Sequence, residues 1–561
     1  MAFKENNVNQ LSLSDPLYLM SEREKRMLDK SWAKKFGDEI FPLINEKRFE
    51  PLYSANNATR PNTPVNCIIG ALILKELHNL TDDELMENII FDVRYQYALN
   101  TTSFDEQPFS DRTFSRFRER LLNHEKATGE DLLKEEVIAL ADSLCQVLGM
   151  DTDTMRMDSV MVSAHCKNMS RIELVFSSMG QLIRSVQKEQ VTKLAKKFDK
   201  YTKKEELNKA VYRIKPGATE TKLQELTRDA QSLLKACRKH YADSKEFKTL
   251  QQVVDEQTTV NDQGEIVPKS GKDIKPDSIQ NPNDIDATYR KKAGKDHKGY
   301  VGNMVETVDN KDGETTAIIT QYDYRPNNYS DHSFCQDVID ELGKQEEKVT
   351  LVADGGYFGM DNIQKAAANN IELVTTSLTG AKPSNTLGDF KVDTEIHEIT
   401  TCPAGHTPAH CSYNAGSDSY RLKMNKSYCE QCPHKDECKA VMQKDSAVIT
   451  ISQGSINRAR YAQKLTGEEY KKLQKFRNGV EGVPSVLRRR YHVDEIPVFG
   501  FLRSKIWFGL KICAINVSRF LKRGRNTLKG SDISSLFQEI FGDFCVCGKN
   551  YSLATTYVFA A

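Results

Sequence analysis

The feature that most constrains this chain is the run Lys348-Val349-Thr350-Leu351-Val352-Ala353-Asp354, followed by Gly355-Gly356, a helical stretch and a second apolar run from Ile371 to Thr376. Strand, helix and strand joined by short links imply parallel pairing, because a parallel neighbour needs a crossover and a helix supplies it. Upstream, Met155 to Ser163 (MRMDSVMVS) partly alternates as a short strand does. Gly299 to Glu306 and Thr316 to Thr320 flank Asn310-Lys311-Asp312-Gly313, two β-rich runs around Asp-Gly that read as a hairpin. A helix is expected from Phe334 to Lys344.

At 561 residues the chain is too long for one ordinary core, so two to four structural units are expected. Charged residues make up 28% and apolar ones 39%, and no apolar run approaches the roughly 18 residues of a membrane span. The N-terminal MAFKENNVNQLSLSDP lacks the apolar stretch of a secretory signal, which sets a cytoplasmic location as the expectation. Thirteen cysteines, an odd number spread over such a chain, point to thiols or a metal site rather than disulfides. The net charge of +1 hides a local bias: Ile456 to Arg525 holds 17 Lys/Arg against 5 Asp/Glu, a net of +12. A phosphate-backbone partner accounts for it better than a solvated face, which normally mixes both signs.

Thr63 to Leu99 (TPVNCIIGALILKELHNLTDDELMENIIFDVRYQYAL) has apolar residues at three- and four-residue spacings, is interrupted at Asn79 and restarts at the cap-like Thr81-Asp82-Asp83-Glu84. Two packed helices are predicted. A further helix after Ser110-Asp111 carries Arg112, Arg116, Arg118 and Arg120; a helical DNA-binding head and a plain helical domain with a solvated basic helix both fit. From His165 to Gln257 the pattern is charged and helical, and Thr258 to Asp284, rich in Pro, Gly and Asp, reads as loop.

Three acids stand out. Asp354 lies where an apolar strand ends, the place at which open α/β sheets gather ligands, although an Asp before Gly-Gly is also an ordinary turn residue. Asp158 sits inside a strand; buried there, it needs a metal or cation beside it, and turned to solvent it needs nothing. Glu481 is one acid in the basic segment Phe476 to Arg490, where it is either a solvated Glu or a partner of the two aspartates. Two metal ions in a phosphoryl-transfer site are held by a few convergent carboxylates. A second cluster, Cys402, Cys429, Cys432 and Cys438 (CPAGH…YCEQCPHKDEC), has a Cys-x2-Cys pair and a third cysteine six residues on, a spacing that can close a tetrahedral zinc site, with Cys411, His406 and His434 as alternative ligands. Four unrelated thiols are the plain alternative.

Three strands including a hairpin, then alternating helices and strands, are compatible with an RNase H-like core, although pattern alone does not single that fold out. The sequence resembles the DDE transposases of bacterial insertion sequences, in the group with a helical N-terminal head. The resemblance rests on Arg60-Pro61-Asn62-Thr63-Pro64 with the helical stretch that follows, on Gln107-Pro108-Phe109-Ser110-Asp111-Arg112 through Arg118, on Met157-Asp158-Ser159, on Ala353-Asp354-Gly355-Gly356-Tyr357, and on Arg477 with Glu481. A large branch of these enzymes carries Tyr, two residues, Arg, three residues, Glu, six residues, Lys. Arg477 and Glu481 match; Arg488 stands where Lys is usual, and Gln474 replaces the Tyr.

The resemblance implies a mixed-sheet α/β RNase H-like core (151–164 and 285–378) with an all-α N-terminal domain (1–150). It further implies a helical insertion and loop (165–284), a zinc-bearing insertion (379–470), a basic segment that completes the core (471–525) and a tail (526–561). It implies Asp158, Asp354 and Glu481 as ligands of two Mg²⁺ or Mn²⁺ ions; the cysteine spacing adds structural Zn²⁺ on Cys402, Cys429, Cys432 and Cys438, in a position where such enzymes often carry insertions. Phosphates would be gripped by Arg112, Arg116, Arg477, Arg488, Arg489 and Arg490. The partners implied are double-stranded DNA with terminal inverted repeats, target DNA and a second copy of the chain, with no membrane. A catalytically silent DNA-binding descendant and a hydrolysis-only nuclease are the rival readings.

Overall fold

The computed structural model describes residues 1–6, 15–56, 58–104, 107–188, 196–212, 217–292, 294–311, 314–344, 347–378 and 380–523. Asp312 and Gly313 of the expected hairpin turn, and the tail with Cys545 and Cys547, lie outside these. Every named element before residue 150 is helical, the longer ones being α1 (Val65–His78), α2 (Asp82–Phe91), α3 (Val93–Ala98), α4 (Thr113–Thr128) and α5 (Leu132–Val147). The stretch predicted as two helices forms three. Asn79, in the left-handed region at φ 54°, ends α1, and a capping box between Thr81 and Glu84 starts α2. The second break is an aspartate cap: the Asp92 carboxylate accepts the Arg94 N–H and opens α3. Helix α1 is buried around nearly its whole circumference, which is why its apolar residues mark no single face.

Six strands form the central mixed sheet: β1 (Thr154–Ser163), β2 (Thr288–Lys292), β3 (Lys295–Lys311), β4 (Glu314–Pro326), β5 (Val349–Ala353) and β6 (Ile371–Thr375). Their order is β4–β3–β1–β5–β6, with β2 also paired to β3. β1 runs antiparallel to β3 and parallel to β5, and β5 runs parallel to β6. The β3–β4 hairpin and the parallel β5–β6 pair are as the sequence predicts. The helix between β4 and β5, α9 (Asp331–Leu342), begins three residues earlier than expected because Ser330 caps it. Helix α10 (Met360–Ala368) makes the β5–β6 crossover.

Alternation along β1 divides its side chains between two cores. Met155 and Met157 join Phe334, Val338 and Leu351 on the α9 side, whereas Val160 and Val162 join Tyr322, Tyr324 and the long helix α14 (Phe501–Lys522). The second core continues into α1, α4 and α5, so the N-terminal helices and the sheet share one apolar interior through α14. A bulge between β3 and β4 sets Val305 opposite Gln321 and Glu306 opposite Ile319. Asn516 of α14 closes it, accepting the Ile319 N–H and donating to the Ile319 carbonyl, both at 2.8 Å.

Two segments leave this frame. Helices α6 (Arg171–Lys188), α7 (Thr219–Tyr241) and α8 (Lys245–Gln257) pack on an apolar cluster of their own. The stretch expected to be loop after α8 contains a small hairpin, Thr258–Val260 with Ile266–Pro268. Gly264 at φ 77° and the Asn261 side chain, which accepts from Gln263 and Glu265, make its turn and explain its polar sequence. The Cys-rich segment forms a two-stranded sheet and a four-stranded one built on Ser419–Asn425 and Ser446–Ser452. The chain then returns to the core through α11 (Gln453–Lys464), α12 (Glu468–Asn478), α13 (Gly482–Arg489) and α14. None of the described helices is long and apolar enough to cross a membrane.

Candidate active site

The parallel pairing of β1 with β5 sets Arg156 beside Val352. Two residues further along each strand stand Asp158 and Asp354, so the register carries the two aspartates to one place. Asp354 follows the last residue of β5, and its Oδ1 accepts the Gly356 N–H at 2.7 Å, opening the turn Gly355–Tyr357. Glu481 ends the short 3₁₀ turn Gly479–Glu481 between α12 and α13, four residues beyond Arg477.

Arg477 ties the three acids together. Its Nη2 lies 3.3 Å from Asp158 Oδ2 and 3.5 Å from Asp354 Oδ2, and its Nη1 donates to Glu481 Oε1 at 2.5 Å. The guanidinium is buried, and its Nε has no hydrogen-bond partner among the described residues. Asp158 is 8% exposed, so of its two sequence readings the structure matches the buried one with a cation beside it. Burial pushes the Asp158 carboxyl above the usual range; Arg477 and the Ser159 N–H pull it back, while Asp354 adds to the rise. Exposure of the acid side chains increases from 12% at Asp158 through 31% at Asp354 to 60% at Glu481, so the cluster opens to solvent on the Glu481 side.

Several supporting residues escape a reading of the sequence. Arg156, two residues before Asp158, pairs with the fully buried Glu306 at 2.8 Å and donates to the Phe476 carbonyl at 3.0 Å, which fixes the end of α12 against β1. Gly479 leaves room for that guanidinium, since a Cβ there would stand 2.0 Å from Arg156 Nη1. Arg519 of α14 holds the other Glu306 oxygen at 2.6 Å. Asp331, at the start of α9, pairs with Arg290 at 3.1 Å and Lys292 at 3.5 Å, and Lys292 Nζ also reaches Ser159 Oγ at 3.1 Å. The phenol of Tyr357 is buried and its pKa driven far up, first by burial and then by Asp331, Asp158 and Asp354. An arginine inside the apolar run of β1 was the available signal for Arg156; nothing local marks Asp331.

The other residues singled out in the sequence are scattered. Arg488 pairs with Asp494 at 3.3 Å and donates to the Met161 carbonyl of β1 at 3.4 Å. Arg489 and Arg490 line a groove of about 300 Å³ together with Arg519 and Lys522. Gln474 is half-buried on α12. Arg112, just before α4, and Arg116 on it are exposed, and none of the contacts of the three acids reaches them. Their neighbours are structural: Arg118 pairs with Asp82, and Arg120 lies 4.6 Å over the Tyr53 ring. Cys402, Cys429 and Cys438 are buried in one apolar cluster with Leu422, Met424 and Ile449. Burial, then the charges of Cys432, Cys402 and Cys429, push the Cys438 thiol up to about 12. The four cysteines are therefore electrostatic neighbours. Among the described residues no three His, Cys, Asp or Glu side chains already stand in ligating position.

Two family models match the chain. Residues 26–120 match a transposase domain of the DUF772 family, and residues 401–521 match a transposase DDE domain. Both matches support an insertion-sequence DDE transposase. The first match runs through α1, α2 and α3 and ends within α4, and the second spans the four cysteines, Arg477, Glu481 and most of α14. Asp158 and Asp354 lie between the matched segments and reach Glu481 through the sheet register and Arg477. No curated protein and no solved structure matches the chain.

Proposed function

We propose that this transposase cuts DNA at the ends of its element and joins the freed 3′-OH to target DNA, with Asp158, Asp354 and Glu481 as the catalytic carboxylates. The observation that carries the reading is their convergence on one buried guanidinium from segments more than a hundred residues apart. The strand order β4–β3–β1–β5–β6, three antiparallel strands followed by two parallel ones, supports an RNase H-like core.

The donor set is all carboxylate oxygen and carries three negative charges against the single charge of Arg477, which suits hard divalent cations. Asp158, Asp354 and Glu481 would hold two Mg²⁺ or Mn²⁺ ions, which supply activation of the attacking oxygen and neutralisation of the leaving one. Water attacks a phosphodiester at the element end and expels one bridging oxygen as the leaving group. The 3′-OH then attacks a target phosphodiester in line, and no protein–DNA bond forms. Arg477 keeps the carboxylates at one spot, Arg156 and Glu306 hold the α12 end that carries Arg477, and the half-open Glu481 side faces the DNA. Arg488, Arg489 and Arg490 contact phosphates as point charges or forks. Arg112 and Arg116 do so from the helical head, where the terminal inverted repeats bind, and two chains act together on paired ends. Cys402, Cys429, Cys432 and Cys438 would hold a structural zinc, whose four positions they fill.

The test is a Mg²⁺-dependent cleavage and strand-transfer assay on DNA carrying the flanking element ends, with Asp158→Asn, Asp354→Asn and Glu481→Gln. Joined products from the wild type, lost in all three variants while DNA binding persists, are expected. Nicking without joining would favour a hydrolysis-only nuclease. Binding without any cleavage would favour a silent descendant.

A further inference from the structure

The β2–β3 hairpin, Thr288 to Gly299, is the most basic short element beside the carboxylates: it holds Arg290, Lys291, Lys292, Lys295 and Lys298 against the single acid Asp296. Its register divides these charges by face. Arg290 opposes His297 and Lys292 opposes Lys295, so one face carries two rungs without an acid. On the other face Lys291 opposes Asp296, and Asp296 accepts the Tyr289 hydroxyl at 2.7 Å.

Like charges directly opposite each other in a sheet destabilise it, so the Lys292–Lys295 rung is a standing cost. Lys292 offsets part of that through Asp331 at 3.5 Å. Lys295 is exposed, and no carboxylate among the described residues pairs with it. Arg488, from the helix that follows Glu481, donates to the Met161 carbonyl of β1 at 3.4 Å and pairs with Asp494 at 3.3 Å; after burial, its charge and that of Lys292 hold His297 below its ordinary pKa, while Asp494 opposes them. The row is anchored at the candidate centre, because Lys292 reaches Ser159 Oγ, next to Asp158, at 3.1 Å. Lys275, Asp277, Tyr289, Arg290 and Lys291 line a cleft of about 670 Å³ beside the hairpin.

We propose that this hairpin is a DNA-backbone ribbon: the Lys292–Lys295 rung and Arg488 hold successive phosphates of one strand and deliver it to the Asp158–Asp354–Glu481 centre. The inference rests on the transposase reading and adds to it the element that seats the substrate. Charge complementarity decides the occupant, since a polyanion with phosphates on both sides of a scissile bond relieves the unbalanced rung. A two-stranded ribbon also has the dimensions to lie in a duplex groove.

The experiment measures binding of full-length protein to a generic duplex of about four helical turns by fluorescence anisotropy across a salt series. For every phosphate that a variant no longer neutralises, the slope of log K against log salt falls by about 0.9. Lys292→Gln with Lys295→Gln is therefore expected to lower it by about 1.8, while Lys235→Gln with Lys239→Gln, on exposed positions of α7, leaves it unchanged. Lys295→Glu is expected to weaken binding yet melt at or above the wild-type temperature, because Lys292 then faces an acid. A slope unchanged in the hairpin variant, or lowered equally by the α7 pair, overturns the hairpin assignment and leaves the transposase reading standing. A wild type that binds no DNA overturns both.

Discussion

Removing Arg477 is the sharpest perturbation of the site, because the structure gives each of its three pairs a different weight. Glu481 is 60% exposed, so that pair contributes about 0–1 kcal/mol despite its 2.5 Å contact. Asp158 is buried on a central strand, and deleting one partner of a buried ion pair costs about 3–5 kcal/mol. Arg477→Ala should therefore destabilise the sheet core by about 3–5 kcal/mol at neutral pH, mostly through Asp158. Hydrogen exchange of the β1 and β5 amides under increasing denaturant reads that loss where it arises. A double-mutant cycle isolates it: in an Asp158→Asn background the same change should cost about 1–2 kcal/mol, since no ionised carboxylate is left stranded.

The pH dependence has a definite sign. Burial already holds Asp158 above its unfolded value, so its ionised form opposes folding and stability falls as pH rises through the folded pKa. Without Arg477 that pKa rises further. The deficit of the variant should be largest near neutrality and shrink on acidification as Asp158 takes up its proton. A deficit under about 1 kcal/mol at neutral pH, one indifferent to Asp158→Asn, or one that grows in acid would refute the assignment of Arg477 as the group that makes buried Asp158 tolerable.

Three further outcomes are expected. A Cβ on Gly302 would stand 2.2 Å from Phe508 Cζ, so Gly302→Ala should destabilise by about 1–3 kcal/mol in thermal melting, and Phe508→Leu should recover part of it. Glu306 is fully buried between Arg156 and Arg519; Glu306→Gln should destabilise by about 3 kcal/mol and slow DNA cleavage more than DNA binding, as the end of α12 loses its anchor on β1. Metal analysis of purified protein should find one zinc per chain in the wild type and none after Cys438→Ser, and chelation should loosen the segment around Ser419–Asn425 while the central sheet keeps its exchange protection.

What was legible in the sequence was whatever a local rule dictates. The apolar alternation of β1, the strand ending at Asp354 and the two-way reading of Asp158 all follow from side-chain period and from the cost of burying a charge. Where the reading fell short, a polar side chain overrode the pattern: Asp92 caps a new helix inside an apolar run, and Asn261 and Gly264 fold a hairpin within what composition marks as loop. Strand β2, Thr-Tyr-Arg-Lys-Lys, has no apolar period, because it pairs on the outer edge of β3 and needs no buried face of its own.

The site itself could only be assembled in three dimensions. Asp158 and Asp354 meet through a parallel register that no local spacing encodes, and Glu481 reaches them through Arg477, a residue that alone reads as one more charge in a basic segment. The same holds for the cations beside the centre. Lys292 and Lys295 are ordinary surface charges in the sequence, and their mutual opposition appears only once β2 is laid against β3. Under the proposed function, the cluster of acids held by one guanidinium and the ribbon of cations beside it would be balanced together by a ligand that brings phosphates to the ribbon and cations to the carboxylates. On the proposed function, that complementarity to DNA and divalent metal makes the two charge imbalances two halves of one substrate site.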